Sequence, residues 1–496
     1  MYDFDIIIVG AGFDGLSAGT LLSKYGHNVA LFEASNDLGR RSGNLERKGF
    51  RFSAETAVGM GFEENGVLFN LYKKIGLPLP VMTKLPVIMD VHLPDGKIRY
   101  YKKKRNWYRE LSTHFPKEHA RMIDFFEEVF RTGMYLDEVI HQHLPMPKQK
   151  FKKIPKITSL INRHTFKLIP FVNQTVADRL KKFNLENNKE FLHFLNGQLM
   201  ERIQTTAENC PAFLGYAALQ AFHQDAFYIQ GGLASVAHDL AAFIEKQGGK
   251  VKKQNKIVSA ERKENGWHVT NQHGELFTGK KLILNNSLHN IQEILAPSLQ
   301  KKKFLNHKTK EAAHETWGTF MLYAGCNDEF INKKPEEDVL YHQFIQEYDK
   351  PHSEGNQFSF SLSAQNDYIM APNHKRSITI STYTDPKQWW NRNEYKDKNN
   401  RYTDQMIYAV TKRFPGFSES IELILPGRPV TFNRFIPRQE GRGRGYIPTR
   451  KSNLLQYYSS YSGIDDLWVC NQAGFLGDET SSTVLSGMIA AEQVNN

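Results

Sequence analysis

Three glycines near the N-terminus, Gly10, Gly12 and Gly15, stand where a short apolar run changes into a helical pattern. This spacing suits a nucleotide. Gly10 permits a tight turn, Gly12 lets the backbone approach a pyrophosphate, and Gly15 lets the helix pack closely. The first helical turn offers N–H groups and the positive end of its dipole to phosphate oxygens. Glu33, 18 positions beyond Gly15, can accept hydrogen bonds from a ribose, which favours FAD or NAD over a 2′-phosphorylated cofactor. The pattern predicts dinucleotide binding, and a glycine-rich turn without a ligand is the simpler alternative.

The elements around these glycines form a complete β–α–β unit. "DFDIIIVG" has the composition of a buried parallel strand, "LSAGTLLSKYG" predicts an amphipathic helix, and "HNVALFEA" predicts a second strand. A similar rhythm returns later in the chain. There the sequence predicts a helix at about 232–246 and strands near 250–260, 266–271 and 281–285. The C-terminal stretch "DDLWVCNQAGFLGDETSSTVLSGMIAAEQV" predicts a strand, a loop and a helix.

We therefore predict an α/β fold with two domains. A Rossmann-like nucleotide-binding domain is expected to be discontinuous, built from residues 1–75, 225–290 and 436–496. Residues 76–224 and 291–435 are expected to form a second, mixed α+β domain that binds substrate and contacts a membrane.

Length and composition narrow the class of protein. The chain has 496 residues, 40% of them hydrophobic, so it can bury at least one large core. No run approaches the roughly 18 to 20 apolar residues of a spanning helix, and the N-terminus lacks the basic start of a signal peptide. The three cysteines are far apart, which supports neither a disulfide framework nor a zinc site. A reducing cytoplasm is the expected location.

Charge points to an anionic partner. The net charge is +11, and residues 147–182 combine many Lys and Arg with Ile, Leu and Phe, with Asp178 as the only acid. Such a stretch can lie on an anionic membrane surface with its apolar side chains inserted and its cations at the headgroups. A solvated lid or a surface helix pair is the alternative interpretation. No nucleic-acid-binding motif accompanies the charge, so nucleic acid is not expected as a partner.

Residues 10–43, "GAGFDGLSAGTLLSKYGHNVALFEASNDLGRRSG", resemble the start of FAD-dependent oxidoreductases of the phytoene desaturase (carotenoid desaturase) type, within the amine oxidase-like flavoprotein superfamily. Further segments resemble this family in the same order along the chain. They are "GFRFSAETAVGMGFEENGVLFNLYKKIGL", "AFYIQGGLASVAHDLAAFIEKQGGKVKKQNKI", "GRPVTFNRFIPRQEGRGRGYIP" and "TVLSGMIAAEQ".

The resemblance implies a bound FAD and the positions that contact it. Ile257 matches a position that meets the adenine end through its main chain, and the final helix matches one that points at the isoalloxazine and the ribityl chain. No metal is implied. The cofactor-binding residues carried over are Gly10, Ala11, Gly12, Gly15, Glu33, Ala34, Arg40, Arg41, Ile257, Thr483 and Val484.

Several positions depart from the family pattern by carrying charge where small residues are usual. Asp14 lies inside the glycine motif, Arg40 replaces a glycine, Glu55 replaces another beside Ser53, and Asp478 lies in a stretch normally rich in Gly and Pro. In one interpretation these side chains point outward and FAD binds. In the other they crowd the pocket, because a carboxylate near a pyrophosphate is repelled, and flavin binds weakly or not at all.

The resemblance also implies the reaction. Flavin chemistry on a polyene needs an apolar tunnel more than acid–base groups, so we assign no catalytic acid or base. His238 is expected on the surface, and Trp389 and Trp390 are expected in an aromatic core rather than in a channel. The leading hypothesis is a peripherally membrane-associated, FAD-dependent oxidoreductase that desaturates a carotenoid or related isoprenoid. The resemblance does not distinguish desaturation from saturation or terminal oxidation of a carotenoid. A non-catalytic or weakly flavin-binding partner subunit and a soluble amine oxidase-like flavoenzyme are the alternatives.

Overall fold

The computed structural model describes residues 2–39, 44–53, 58–142, 167–171, 173–286, 288–300, 317–331, 339–435, 447–448, 460–470 and 480–496. Its strands are β1 Phe4–Val9, β2 Val29–Phe32, β3 Asn44–Arg47, β4 Phe50–Ser53, β5 Val58–Met60, β6 Met82–Lys84, β7 Met89–His92, β8 Lys97–Tyr100, β9 Ala226–Ile229, β10 Lys250–Lys252, β11 Ile257–Lys263, β12 Gly266–Asn271, β13 Leu276–Leu284, β14 Gly318–Asn327, β15 Tyr341–Ile345, β16 Gln357–Leu362, β17 Lys375–Thr384, β18 Ile421–Gly427 and β19 Leu467–Val469.

The α-helices are α1 Phe13–Lys24, α2 Val67–Ile75, α3 Lys104–His114, α4 His119–Gln142, α5 Val176–Lys182, α6 Lys189–Ile203, α7 Ala212–Ala221, α8 Leu233–Lys246, α9 Leu288–Ile294, α10 Pro297–Gln300, α11 Arg392–Arg413, α12 Phe417–Ser420, α13 Pro429–Phe435 and α14 Thr480–Asn495. Short 3₁₀ turns cover Ile169–Phe171 and Pro386–Trp389.

The first sheet carries the glycine motif at the carboxyl end of its central strand. Strands β10, β2, β1, β13 and β19 pair in parallel in that order, and β11 and β12 extend β13 in antiparallel fashion. The central strand β1 is buried because its Ile and Val side chains face helices on one side of the sheet and β11–β12 residues on the other. Three separated stretches of sequence therefore build one sheet around β1.

Helices α1, α8 and α14 pack together against the first sheet. A Cβ at Gly19 would lie 2.9 Å from Ile244 and 3.2 Å from Ile8, so glycine lets α1 approach both its sheet and α8. This arrangement confirms the predicted α/β class, and α8 begins and ends within two residues of the helix predicted at about 232–246.

The second sheet is mixed and has seven strands in the order β18-β14-β17-β16-β15-β7-β8. All its pairs are antiparallel except β15 with β7. One face packs its Phe, Ile and Leu side chains on α11 and α12. Strand β9 pairs separately with β5 and β6 in a small three-stranded sheet.

Helices α3 to α7 form a layer with its own aromatic core. Tyr100 stacks on Trp107 with their ring centroids 4.6 Å apart, and Phe194, Phe222 and His223 also contact Tyr100. Over the parts of the chain described, no helix combines the length and apolar character needed to cross a membrane.

Candidate cofactor site

The glycine motif forms a backbone cradle at the end of β1. Gly10 has a φ of 104°, and a Cβ at this position would lie 2.4 Å from the carbonyl oxygen of Asn285. A Cβ at Gly15 would lie 2.1 Å from the carbonyl oxygen of Gly10. Gly12 begins α1 with an extended backbone and caps the helix without a side chain. The cradle therefore exists only because Gly10 and Gly15 lack side chains, and it opens onto the first turn of a helix.

Glu33 lies directly beside the cradle. Its carboxylate accepts hydrogen bonds from the backbone N–H of Ala11 at 2.8 Å and from the backbone N–H and hydroxyl of Ser35 at 2.9 and 3.0 Å. The structure thus brings together Glu33 and the glycine motif, as the spacing predicts. Ala34 is next in the chain and is exposed.

Ile257 begins β11 and is buried against the same sheet. The chain just before Ile257 is hydrogen-bonded to Glu33. The backbone N–H of Asn255, two residues before Ile257, donates to the carbonyl oxygen of Glu33 at 2.7 Å. The main chain before β11 therefore borders the end of the site where Glu33 lies.

The C-terminal helix α14 closes the site from the other side. Ser17 of α1 donates a hydrogen bond from its hydroxyl to the carbonyl oxygen of Val484 at 3.1 Å. A Cβ at Gly487 would lie 2.0 Å from the carbonyl oxygen of Asp14, so the two helix backbones are in contact. Val484 is fully buried and Thr483 is half-buried, with its hydroxyl bonded to the carbonyl oxygen of Thr480.

Two residues of this site escaped the sequence analysis. Asn285 follows β13, its side-chain amide donates to the carbonyl oxygen of Gly10 at 3.2 Å, and its backbone faces Gly10. Ser35 supplies two hydrogen bonds to Glu33. Asn285 could have been found from its position, since polar residues that follow a buried parallel strand lie at the ligand-binding edge of a sheet.

Two of the positions that depart from the family pattern, Asp14 and Ser53, lie among the described residues. Asp14 is only 1% exposed and one of its carboxylate oxygens lies 3.3 Å from the backbone N–H of Gly15, so the interpretation that it points outward is wrong for this residue. Ser53 is buried, and its hydroxyl oxygen has no hydrogen-bond partner among the described residues. Arg40, Arg41, Glu55 and Asp478 lie outside the described residues.

The basic stretch differs from the expectation in its C-terminal half. Leu168, Phe171 and Leu180 are buried in the helical core, so they are not available to a bilayer. Arg179 is only 7% exposed and pairs with Glu128 instead of facing outward, because a buried guanidinium requires a carboxylate partner. Residues 147–166 lie outside the described residues.

Of the remaining side chains singled out from the sequence, one is buried and two are exposed. His238 is exposed, and Trp389 is buried in the core of the second sheet with its indole N–H bonded to the hydroxyl of Thr384 at 2.8 Å. Trp390 is 43% exposed, so its predicted core position is wrong. Among the residues described, no group of three or more His, Cys, Asp or Glu side chains is arranged to hold a metal ion.

A family model for flavin-containing amine oxidoreductases matches residues 15–364. The chain belongs to this family. Membership confirms FAD as the cofactor, an oxidoreductase as the class of enzyme, and the superfamily of the resemblance. The cradle fits such a cofactor, since Gly10 and Gly15 let the chain turn tightly from β1 into the first turn of α1, whose backbone N–H groups suit a phosphate.

Individual relatives resemble the chain over different lengths. Prolycopene isomerase from Daucus carota is 24% identical over 511 residues, covering 99% of this chain and 80% of that protein. A 4,4′-diapophytoene desaturase from Methylomonas is 25% identical over 331 residues, covering 65% of this chain and 61% of that protein. The crystal structure of an oxidoreductase from Methanosarcina mazei superposes with a TM-score of 0.65 at 14% identity, covering 98% of this chain and 99% of that one, which shows a shared fold.

Proposed function

We propose that this protein is an FAD-dependent oxidoreductase that desaturates a carotenoid or a related isoprenoid. The observation that carries desaturation is the partial similarity to a diapophytoene desaturase, and similarity over nearly the whole chain to a prolycopene isomerase supports a carotenoid as the substrate. Both relatives are named for carotenoids. The cradle at Gly10 and Gly15 supports a bound dinucleotide independently of those names.

Each part of the site has a task in holding the cofactor. Gly10, Ala11, Gly12 and Gly15 would hold the pyrophosphate at the start of α1, Glu33 and Ala34 the ribose, and the chain at Ile257 the adenine. Thr483 and Val484 would border the isoalloxazine end. Arg40 and Arg41 would contact phosphate, since a guanidinium suits bidentate contacts with its oxygens. A bound FAD would supply a two-electron oxidant for a hydride from one substrate C–H bond, and the proton from the adjacent C–H bond would pass to water.

The chain's own residues would orient the cofactor. Ser17 ties α1 to α14 through the carbonyl oxygen of Val484, and Gly487 brings the two helices into backbone contact. Any movement of α14 would therefore disturb the glycine cradle. This contact supports the division into two domains predicted from the sequence, with residues 1–75, 225–290 and 436–496 holding FAD, because it joins the first of these stretches to the last.

A lipid-soluble substrate has to be taken from a bilayer, so the proposal includes peripheral association with an anionic membrane. This part of the proposal rests on the basic residues 147–166, because the side chains of Leu168, Phe171 and Arg179 are buried in the protein interior.

The deciding experiment starts with the visible absorption spectrum of the purified chain and chromatography of the ligand released by heating. A flavin spectrum with near-stoichiometric FAD is expected. Turnover is then measured on carotenoids in liposomes, with product formation followed by the shift of the polyene absorption band. A protein that holds FAD and leaves every carotenoid unchanged contradicts the substrate, whereas one that takes up no added FAD contradicts the cofactor assignment.

The buried Asp14 favours one second candidate, a homologue with weak affinity for flavin. Its carboxylate lies at the first turn of α1, beside the Gly15 N–H group that a phosphate would approach. Titration with FAD distinguishes the two candidates, because a weak binder is purified without colour and gains a flavin spectrum only at high cofactor concentration.

A further inference from the structure

Three exposed apolar side chains lie close together where β6, β9 and the loop between β16 and β17 meet. Val81 is 72% exposed, Tyr368 64% and Ile369 44%. The backbone N–H of Gln230 donates to the carbonyl oxygen of Val81 at 3.0 Å, which places Val81 beside Gly231. Ile369 contacts the same glycine, since a Cβ at Gly231 would lie 3.2 Å from its side chain. Val81, Tyr368 and Ile369 together form what we name the apolar patch.

The loop that carries Tyr368 and Ile369 is held in place by a buried carboxylate. Asp367 accepts a hydrogen bond from the Tyr228 hydroxyl at 2.6 Å. It also accepts from the backbone N–H of Gly231 at 2.8 Å and from that of Ile369 at 3.1 Å. The exposure of the two apolar side chains is therefore a property of a fixed loop. Apolar residues that are exposed singly are ordinary on a protein surface, whereas a cluster of them is typical of a docking surface.

The hairpin of β3 and β4 adds positive charge beside the apolar patch. Its turn contacts the loop between β16 and β17, since a Cβ at Gly49 would lie 3.4 Å from the side chain of Pro372. Arg47 and Lys48 are exposed at this turn. Residues 44–53 contain three basic residues and one acid, which gives the hairpin a net charge of +2.

Strand β6, which follows Val81 directly, brings a second excess of positive charge. Lys84 at its end pairs with the carboxylate of Asp225 at 2.8 Å, and Lys102 pairs with the same carboxylate. Two lysines thus share one acid, which leaves this group with a net charge of +1. Apolar side chains bordered by surplus cations match an anionic bilayer, where the cations meet lipid phosphates and a tyrosine ring suits the headgroup level.

We propose that the apolar patch docks on an anionic lipid bilayer, with Val81, Tyr368 and Ile369 inserted among the headgroups and the neighbouring cations against the lipid phosphates. The inference rests on the proposed function, whose lipid-soluble substrate has to come from a bilayer, and it adds a second contact to the one proposed for residues 147–166. A second copy of the chain fits the patch less well, because two such patches would bring like charges together.

The test uses the full-length protein loaded with FAD and two kinds of vesicle, phosphatidylcholine alone and phosphatidylcholine with about one-third phosphatidylglycerol. Co-sedimentation measures the partition coefficient. We expect the wild type to bind the anionic vesicles about tenfold more tightly than the neutral ones. The double variant Tyr368→Ser/Ile369→Ser should bind the anionic vesicles about tenfold more weakly than the wild type, because it has lost two inserted side chains.

The matched control for lost apolar surface is Tyr408→Ser/Leu276→Ser. Both residues are exposed to a similar extent, and they lie on α11 and at the start of β13, which contribute nothing to the apolar patch. This control should bind both kinds of vesicle as the wild type does. Equal weakening by the two double variants, or no weakening by Tyr368→Ser/Ile369→Ser, would overturn the inference.

The role of charge is tested with Arg47→Gln/Lys48→Gln. Binding to anionic vesicles should fall about fivefold and binding to neutral vesicles should stay the same, since only lipid charge attracts these side chains. Lys396→Gln/Lys412→Gln, which removes two exposed lysines of α11, is the control and should change binding less than twofold. Equal effects of the two charge variants would overturn the inference.

Two further measurements separate this inference from its alternatives. Light scattering in the absence of vesicles gives the oligomeric state, and a dimer that Tyr368→Ser/Ile369→Ser dissociates would overturn the inference in favour of a second copy. The FAD spectrum and the turnover of a carotenoid dispersed in detergent need no vesicle. Their loss in the wild type contradicts the proposed function, whereas the vesicle measurements contradict only the docking surface.

Discussion

The region around the glycine motif and the region formed by the second sheet with helices α3 to α7 are held together by different means. At the motif, backbones touch: Gly487 faces the carbonyl oxygen of Asp14, and Gly15 faces that of Gly10. In the second region, buried polar side chains pair across long sequence separations, as Glu128 does with Arg179 and Gln198 does with Gln343 at 2.7 Å. The first region therefore depends on the absence of side chains, and the second on the presence of matched ones.

Removing one partner of a buried pair should have the largest effect on stability. Glu128 accepts hydrogen bonds from Arg179 at 2.5 Å, Lys182 at 2.8 Å and Tyr216 at 2.9 Å. Glu128→Ala leaves the Arg179 charge buried without its carboxylate, so the free energy of unfolding should fall by about 3–5 kcal/mol. Denaturant unfolding of the variant and the wild type measures this change in free energy.

The adjacent Glu127→Ala is the control. Glu127 is 47% exposed and its ion pair with Lys104 is open to solvent, so a change below about 1 kcal/mol is expected. Equal losses from the two variants would contradict the view that buried polar pairing holds the second region together.

At the glycine motif, adding a single methyl group should remove the cofactor. Gly15→Ala places a Cβ 2.1 Å from the carbonyl oxygen of Gly10, a backbone atom that cannot move away freely. We expect a loss of about 3 kcal/mol in stability and FAD content below a tenth of the wild type, measured by absorbance. Gly96→Ala, where a Cβ would meet no atom within 4 Å, should keep both properties. A Gly15→Ala protein with full FAD content would show that the motif tolerates side chains.

The second region should also set how stability depends on pH. His92 lies 3.2 Å from His342 and stacks on Phe344, and burial, followed by the nearby His342, lowers its pKa from 6.5 to about 3. The unfolded chain therefore binds a proton before the folded one does. The stabilising contribution of neutral His92 is complete above pH 6.5 and is lost as the pH falls from 6.5 towards 3.

His92→Phe should remove this dependence, flattening the acid side of the stability curve by about 1.4 kcal/mol per pH unit. The free energy of unfolding measured at pH 7, 6 and 5 gives the slope. His238→Phe, which replaces an exposed histidine, should leave the slope as it is in the wild type. An unchanged slope in His92→Phe would mean that another group dominates acid unfolding.

The smallest expected effect concerns the one buried carboxylate inside the glycine motif. Asp14→Ala removes a negative charge beside the Gly15 N–H group, so FAD should bind about tenfold more tightly, or about 1.4 kcal/mol. Titration of the apoprotein with FAD measures the dissociation constant, and Asp37→Ala, at an exposed acid in the loop that follows β2, is the control. Weaker binding by Asp14→Ala would show that this carboxylate supports the site.

Much of the first region was predictable because its determinants are local. The apolar run of β1, the glycine spacing and the acid at Glu33 follow one another within 30 residues, and their positions imply contact once the β–α–β unit forms. The contact between Gly487 and Asp14 was not predictable in the same way, since helix contacts between distant segments leave no periodic signal.

The sequence by itself determined the α/β class, the glycine cradle and the place of Glu33, because short-range spacing and strand composition decide them. Only the tertiary structure decided that Asp14 is buried, that Arg179 pairs with Glu128, and that Gln198 pairs with Gln343. Each of these depends on which distant strand or helix supplies the neighbour, and the free energy of a buried polar group depends on that neighbour.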